Sequence, residues 1–198
     1  MNTKQSKIAV LAILTLMIGM NVMSMAQSRF GIRGGLNASN VSFDNLPNRS
    51  ERFSYHLGFF ADVPVLSNFM SMQPELSYSV KGAAFEYLNE RRKLNLQYVD
   101  FLLPVAFHLS SIDIQVGPFA SFLASTPDYT VFDENRVVID AFKKYDVGLT
   151  AGLSYNFNNF LFGIRYNQGF VDVTKDSSRP LLGSGKNAVG QASIGYKF

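Results

Sequence analysis

The chain has 198 residues, a formal net charge of +3 and no cysteine. Without cysteine there is no disulfide, no thiolate metal site and no lipoprotein anchor. The basic residues are scattered along the chain, which argues against a nucleic-acid-binding face, and the length suits one domain.

The N-terminal segment has the three parts of a secretory signal peptide. Two lysines precede an uncharged apolar run from Ile8 to Met20, and Ser24-Met25-Ala26 places small residues at a cleavage site. A membrane-spanning helix needs about 20 predominantly apolar residues, and this run is shorter. We therefore predict a signal peptide over residues 1–26 and one outer-membrane β-barrel domain over residues 27–198.

Apolar and polar residues alternate with period two through the rest of the chain, which predicts β-strands. Between Tyr145 and Phe157, one face is apolar and aromatic, and the other consists of Asp, Gly, Thr, Ser and Asn. In the fourth segment the apolar residues change face, so we expect a β-bulge near Val99-Asp100. The pattern predicts eight strands, at residues 29–41, 53–65, 69–82, 93–109, 112–125, 143–157, 160–173 and 188–198.

The connections between these strands alternate in length. The short ones are Leu66-Ser67-Asn68, Ser110-Ser111 and Asn158-Asn159. The long and polar ones are residues 42–52, 83–92, 126–142 and 174–187. Outer-membrane barrels have long loops outside the cell and short turns in the periplasm, and an even strand number places both termini in the periplasm.

The alternation leaves open which face points inward. A soluble lipocalin-like ligand binder would turn the apolar face in and a charged face out. Here the polar face is mostly uncharged, and Phe and Tyr are frequent near strand ends, as in the aromatic girdles of membrane barrels. The predicted fold class is therefore all-β: an eight-stranded antiparallel up-and-down transmembrane β-barrel in the cell outer membrane.

Ionisable residues are spaced along the polar face of the predicted strands. An eight-stranded barrel has an interior just wide enough for side chains to fill, so we predict a mutually neutralising structural plug in which Glu75 pairs with Arg33 or Arg165. An ion or proton path is the alternative. The residues of this face are Arg33, His56, Asp62, Glu75, Lys81, Asp100, Asp113, Asp146, Arg165 and Lys197, and we assign the plug to Arg33, Glu75, Lys81, Asp113, Asp146 and Arg165.

An enzymatic function is less favoured than a structural role for these residues. His56 should lie near the outer edge and His108 near the periplasm, so the two cannot share a site. A site built on His56 with Ser54 or a loop aspartate stays open as an alternative. The loop carboxylates lack the regular spacing of calcium ligands. We predict no enzyme activity, no catalytic residues, no cofactor and no metal site.

Several short motifs occur in a fixed order along the chain. They are Pro74-Glu75-Leu76-Ser77-Tyr78-Ser79 with Lys81-Gly82, the Tyr98-to-Pro104 stretch, Gly117-Pro118-Phe119, Asp146-Val147-Gly148-Leu149, Arg165-Tyr166 and Gly195-Tyr196-Lys197-Phe198. Together they resemble the PorT-type outer-membrane β-barrel family (outer membrane protein beta-barrel domain). The resemblance covers essentially the whole chain after residue 26. It implies an eight-stranded barrel and, from the named member, a link to protein secretion.

We therefore expect a small non-enzymatic outer-membrane protein with a structural, assembly or partner-binding role. A narrow porin-like channel for small solutes is the alternative, and an enzyme at the outer rim is a third possibility. The expected partners are outer-membrane lipid, the barrel-assembly machinery and other envelope or secretion proteins, with no nucleic acid. The assembly machinery would contact the last strand, with Tyr196 and Phe198 as a C-terminal assembly signal.

Overall fold

A computed structural model describes residues 28–43, 49–50, 52–66, 69–82, 84–87, 90–93, 96–125, 143–172 and 185–198. The predicted signal peptide lies outside the described residues. So do Ser67-Asn68 and most of the two long connections that follow Ser125 and Asp172. No helix in the described part of the chain is long and apolar enough to cross a membrane.

The described residues form β-strands and their connections. The strands are β1 (Arg29–Phe43), β2 (Arg49–Ser50), β3 (Arg52–Leu66), β4 (Met70–Met72), β5 (Glu75–Lys81), β6 (Ala84–Tyr87), β7 (Glu90–Lys93), β8 (Leu96–Leu102), β9 (Val105–Leu109), β10 (Ile112–Ser125), β11 (Tyr145–Phe157), β12 (Phe160–Gly169) and β13 (Gly185–Lys197).

Eight antiparallel strands close into a ring. Its order is β1-β13-β12-β11-β10-β8-β5-β3, and β1 pairs with β3 as well as with β13, so no edge of the sheet is left open. Two members of the ring are interrupted, because β4 continues into β5 and β9 continues from β8. The predicted all-β, eight-stranded, up-and-down barrel is confirmed.

Prolines cause the two interruptions. Pro74 lies between β4 and β5, and Pro104 lies between β8 and β9. Proline has no N–H to donate, so the ladder stops at these positions. The carbonyl oxygens of both prolines still accept hydrogen bonds. Gln73 N donates to Pro104 O at 2.8 Å, and Ala61 N donates to Pro74 O at 3.0 Å. The barrel therefore stays closed across both breaks.

The bulge expected near Val99-Asp100 is wrong. The register of β8 with β5 and with β10 is continuous through these residues. Leu96 and Tyr98 are buried together with Asp100, whereas Val99 is exposed. The sequence pattern assigned Leu96 and Tyr98 to the outer face of the barrel. In the structure both side chains point into the lumen, so the strand alternates without a bulge. The register shift lies in the partner strand, between Leu123 and Ser125.

Two ends of the barrel can be distinguished by their connections. At the turn end, Ser110 and Asn158 adopt φ values of 59° and 54° in tight turns between neighbouring strands. Asparagine tolerates this left-handed region better than most residues. The first and last barrel strands also begin and end there, at Arg29 and Lys197. The long connections leave from the opposite end, which we call the loop end.

Two long connections contain strands that the sequence pattern did not predict. The strands β2, β6 and β7 form a separate three-stranded antiparallel sheet, with Arg49 opposite Phe85 and Phe85 opposite Arg92. The first connection supplies β2 and the second supplies the β6–β7 hairpin. The short lengths of these strands explain the omission, since two to four residues are too few for alternation to be recognised.

Candidate functional site: the filled lumen

The polar face of the strands points into the barrel. All ten ionisable residues predicted for this face are buried, with exposed fractions of 8% or less. Buried charges persist when partners and hydrogen bonds compensate the loss of water. The lumen therefore contains these charged groups together with the polar groups that compensate them.

A central network crosses the lumen at mid-height. Glu75 Oε2 accepts from Arg33 Nη1 at 3.1 Å and from Arg165 Nη2 at 3.0 Å, so one carboxylate binds both arginines. The strands β5 and β12, which carry Glu75 and Arg165, lie four places apart in the ring of eight. The Glu75–Arg165 ion pair therefore spans the barrel from one side to the other.

Glutamines extend this network to further strands. Arg165 Nη2 also donates to Gln115 Oε1 at 3.2 Å. Gln115 Nε2 in turn donates to Gln73 Oε1 at 2.9 Å and to Ser154 Oγ at 3.1 Å. The Arg33 guanidinium lies over the Phe60 ring, 4.9 Å from its centroid. Side chains from many strands thus meet in the middle of the barrel and occupy its cross-section.

Lys81 forms a second buried cluster towards the loop end. Its ammonium donates to Asp100 Oδ1 and to Ser121 Oγ, both at 2.8 Å. The rings of Tyr98 and Phe119 lie 4.8 and 5.4 Å from the same nitrogen. This cation is therefore enclosed by a carboxylate, a hydroxyl and two aromatic rings.

Asp146 differs from the other residues assigned to the plug. It forms no salt bridge with any residue in the described strands, and its Oδ2 accepts from Asn187 Nδ2 at 2.9 Å. A Cβ on Gly169 would lie 2.5 Å from the same oxygen, so the glycine leaves room for the carboxylate. Amide hydrogen bonding takes the place of a cation here.

His56 is held in a network of amides. Its Nδ1 donates to Asn37 Oδ1 at 2.7 Å, and Gln191 Nε2 donates to the same oxygen at 3.0 Å. Ser54 Oγ instead donates to the carbonyl of Val80 at 2.6 Å. The alternative site of His56 with Ser54 is therefore not formed, and this histidine has a structural arrangement.

His108 belongs to a turn-end network that the sequence reasoning missed. Its Nδ1 lies 2.7 Å from Asp113 Oδ1 and its Nε2 lies 2.9 Å from Ser71 Oγ. The signal that could have revealed the pair is the Ser110-Ser111 turn, because a two-residue hairpin places residues 108 and 113 directly opposite each other. Ser71 belongs to a strand that pairs with β9, which local spacing could not reveal.

The turn-end network borders a cavity of about 500 Å³. Asn156 Nδ2 donates to Asp113 Oδ2 at 2.8 Å, and Lys197 Nζ donates to Asp62 Oδ2 at 3.0 Å. The side chains that line the cavity include Arg29, Asp62, Ser71, His108, Asp113 and Lys197. Opposite charges are paired here, and the cavity opens at the turn end.

The outer face of the barrel is apolar. Aromatic side chains stand exposed at both ends, Phe53 with 72% of its surface. At the loop end they are Phe53, Tyr55, Phe122, Tyr145 and Phe170; at the turn end they are Phe30, Phe69, Phe157, Phe160 and Phe198. Between them lie exposed Leu, Ile and Val side chains together with Phe59 and Phe101. A soluble lipocalin-like arrangement is excluded, since the apolar face would then be inside.

The apolar outer face suits contact with lipid, and the closed ring leaves no backbone hydrogen bond unsatisfied there, as a membrane-spanning sheet requires. Together with the aromatic residues near both ends and the polar interior, these features define a transmembrane β-barrel. A family profile described as "Outer membrane protein beta-barrel domain" matches residues 25–175. The chain belongs to this family, and it is an outer-membrane β-barrel protein.

Three solved structures are similar to this chain over most of its length. Ail of Yersinia pestis, in complex with the heparin analogue sucrose octasulfate, is 15% identical with a TM-score of 0.48 and covers 86% of this chain and 99% of its own. Neisserial surface protein A is 10% identical with a TM-score of 0.49, covering 85% and 97%. The N-terminal barrel of Pseudomonas aeruginosa OprF is 14% identical with a TM-score of 0.38, covering 87% and 100%. No match was found among curated proteins.

Proposed function

We propose that this protein is a small structural or partner-binding component of the outer membrane, which acts through contacts at its loop end and needs no catalysis to do so. The sheet of β2, β6 and β7 carries the proposal. Two connections that are distant in sequence pair their backbones there, so the loop end has hydrogen-bonded structure of its own. Its outer strands, β2 and β7, each pair on only one side among the described residues. Such edges accept an added strand from a partner.

The orientation and the partners form part of the same proposal. The loop end would face the outside and the turn end the periplasm, after export directed by residues 1–26. The resemblance to PorT-type proteins supports a place in protein secretion. The aromatic contacts of Tyr196 with Phe160 and Phe198, at centroid distances of 5.3 and 5.8 Å, support a role of this strand in recognition by the assembly machinery.

Site-specific cross-linking tests the partner-binding role. A photo-reactive phenylalanine analogue at position 92, on β7, should yield cross-linked proteins in the native outer membrane. The matched control is the same analogue at position 111, in a tight turn at the other end. Products that require position 92 support the proposal. Absence of cross-links at position 92, or identical products at both positions, would contradict it.

Conductance separates this proposal from the narrow channel. Because the central network occupies the cross-section of the lumen, the purified barrel in a planar bilayer should give no stable ionic current. A large porin inserted under the same conditions is the positive control. Replacing Arg33, Glu75 and Arg165 together by alanine should raise the frequency of openings. Stable current steps from the wild-type barrel would favour the channel.

A further inference from the structure

Hydrogen bonds link Ser71 to His108 and His108 to Asp113. This arrangement of a serine, a histidine and a carboxylate can activate the serine hydroxyl as a nucleophile. We propose that Ser71 is a nucleophile, with His108 as its general base and Asp113 as the residue that positions the histidine. The site would react with small acyl esters that enter the turn-end cavity. This inference goes beyond the proposed function and concerns the opposite end of the barrel, so either can fail without the other.

The hydrogen bonds of Asp113 determine which nitrogen of His108 is free. An ionised carboxylate only accepts hydrogen bonds, so the 2.7 Å contact requires a proton on His108 Nδ1. In the neutral imidazole, Nε2 then accepts from the Ser71 hydroxyl at 2.9 Å, and the Asp62 carboxylate is a second acceptor within reach of the same hydroxyl. The second Asp113 oxygen is held by Asn156. The carboxylate therefore orients the ring and stabilises the imidazolium that forms when Ser71 loses its proton.

The backbone holds these side chains in place. His108 and Asp113 are direct partners on β9 and β10, and Ser71 lies opposite Ala106 on the pair of β4 and β9. His108 N also donates to the Phe69 carbonyl at 2.8 Å. Three hydrogen-bonded strands thus supply one group each. Groups on paired strands are positioned more rigidly than groups on loops, which favours their chemical use.

The cavity limits what can reach the serine. Ser71 and Asp113 are each about 1% exposed, whereas the His108 side chain is 21% exposed and faces the opening. The space of about 500 Å³ accommodates a short acyl group. Arg29 and Lys197 line it, and Asp62 holds Lys197 at 3.0 Å. Lys197 is thus neutralised by its partner, and Arg29 is the lining cation that we assign to an oxyanion formed at Ser71.

The reaction follows from these positions. Ser71 Oγ attacks the ester carbonyl and forms the Oγ–C bond, while its proton passes to His108 Nε2. The C–O bond to the alcohol then breaks, and the alcohol leaves with the proton from Nε2. Water, deprotonated by the same nitrogen, hydrolyses the acyl-serine and regenerates Ser71.

A small phosphorylating reagent tests the nucleophile. The folded barrel in detergent is treated with diisopropyl fluorophosphate, and modified serines are identified by mass spectrometry. We expect modification of Ser71 at least about 100-fold faster than of Ser154, a buried luminal serine whose hydroxyl accepts from Gln115 Nε2, because general-base catalysis contributes about that much or more. The same preparation should hydrolyse p-nitrophenyl acetate, and Ser71→Ala should not.

Variants distinguish a loss of Ser71 reactivity from a loss of folding or of reagent access to the cavity. His108→Gln should slow labelling about 100-fold, and Asp113→Asn should slow it and change its pH profile, in barrels that keep their heat-modifiable gel shift. Ser71→Cys reports access, because the native chain has no cysteine. If a small thiosulfonate labels Ser71→Cys while native Ser71 stays unmodified, the proposal is overturned. A cysteine that no reagent reaches overturns it equally, since substrate would be excluded as well.

Discussion

Replacing Glu75 by leucine is expected to destabilise the barrel by about 3–5 kcal/mol, because it leaves two buried arginines without their shared carboxylate. Arg33 and Arg165 both donate to Glu75 Oε2, and all three residues are at least nine-tenths buried. Leucine supplies no acceptor for either guanidinium. The folded fraction, read from the heat-modifiable gel band over a urea series, measures the loss. A wild-type midpoint for Glu75→Leu would contradict the role of the central network.

A matched variant distinguishes the lost pairing from a general effect of substitution in the lumen. When a buried ionic group is replaced as a whole by apolar residues of similar volume, stability is often kept. The triple variant Arg33→Met, Glu75→Leu and Arg165→Met should therefore recover much of what Glu75→Leu loses. If the triple variant is less stable than the single one, the arginines must contribute through contacts other than Glu75.

Replacing Gly35 by valine is expected to prevent closure of the barrel between its first and last strands. A Cβ at this position would lie 2.0 Å from the carbonyl oxygen of Ala192 on β13, an atom of the backbone that no side-chain rotation can move. Strand propensity alone favours valine over glycine, so the two effects oppose each other. Propensity differences span about 1 kcal/mol, whereas a clash with backbone costs 1–3 kcal/mol or more, so the clash decides.

The experiment measures the yield of heat-modifiable barrel after refolding into detergent or lipid. Gly190→Ala is the control, because Gly190 lies on the same strand pair and its nearest neighbour would be 3.8 Å from the new Cβ. This variant should refold as the wild type does. Efficient refolding of Gly35→Val would show that β1 and β13 can separate locally without loss of the fold.

The alternation in the sequence predicted most of the barrel correctly. The eight strands, their order along the chain and the direction of most faces follow from it, because neighbouring side chains on a strand point to opposite faces. Arg33, Glu75 and Arg165 were placed on one face for the same reason. The sequence did not specify that Glu75 contacts both arginines, since β1, β5 and β12 are brought together only by closure of the ring.

The bulge prediction failed because of a wrong assignment of faces. The bulge near Val99-Asp100 was inferred on the assumption that Leu96 and Tyr98 face lipid, but these side chains pack inside with Lys81 nearby. Hydrophobicity does not tell a lipid-facing residue from an apolar residue inside the lumen. Only the neighbours across the barrel decide between them.

The sequence by itself determined a β-barrel with a polar lumen, because strand periodicity and connection lengths are local properties. Tertiary structure decided which luminal groups meet. It joined Ser71 to His108 and Asp113, gave His56 and Ser54 different hydrogen-bond partners, and paired two distant connections into the sheet of β2, β6 and β7. The contact of Ser71 with His108 and the pairing of the two connections depend on the register of the strands, which brings together residues far apart in sequence.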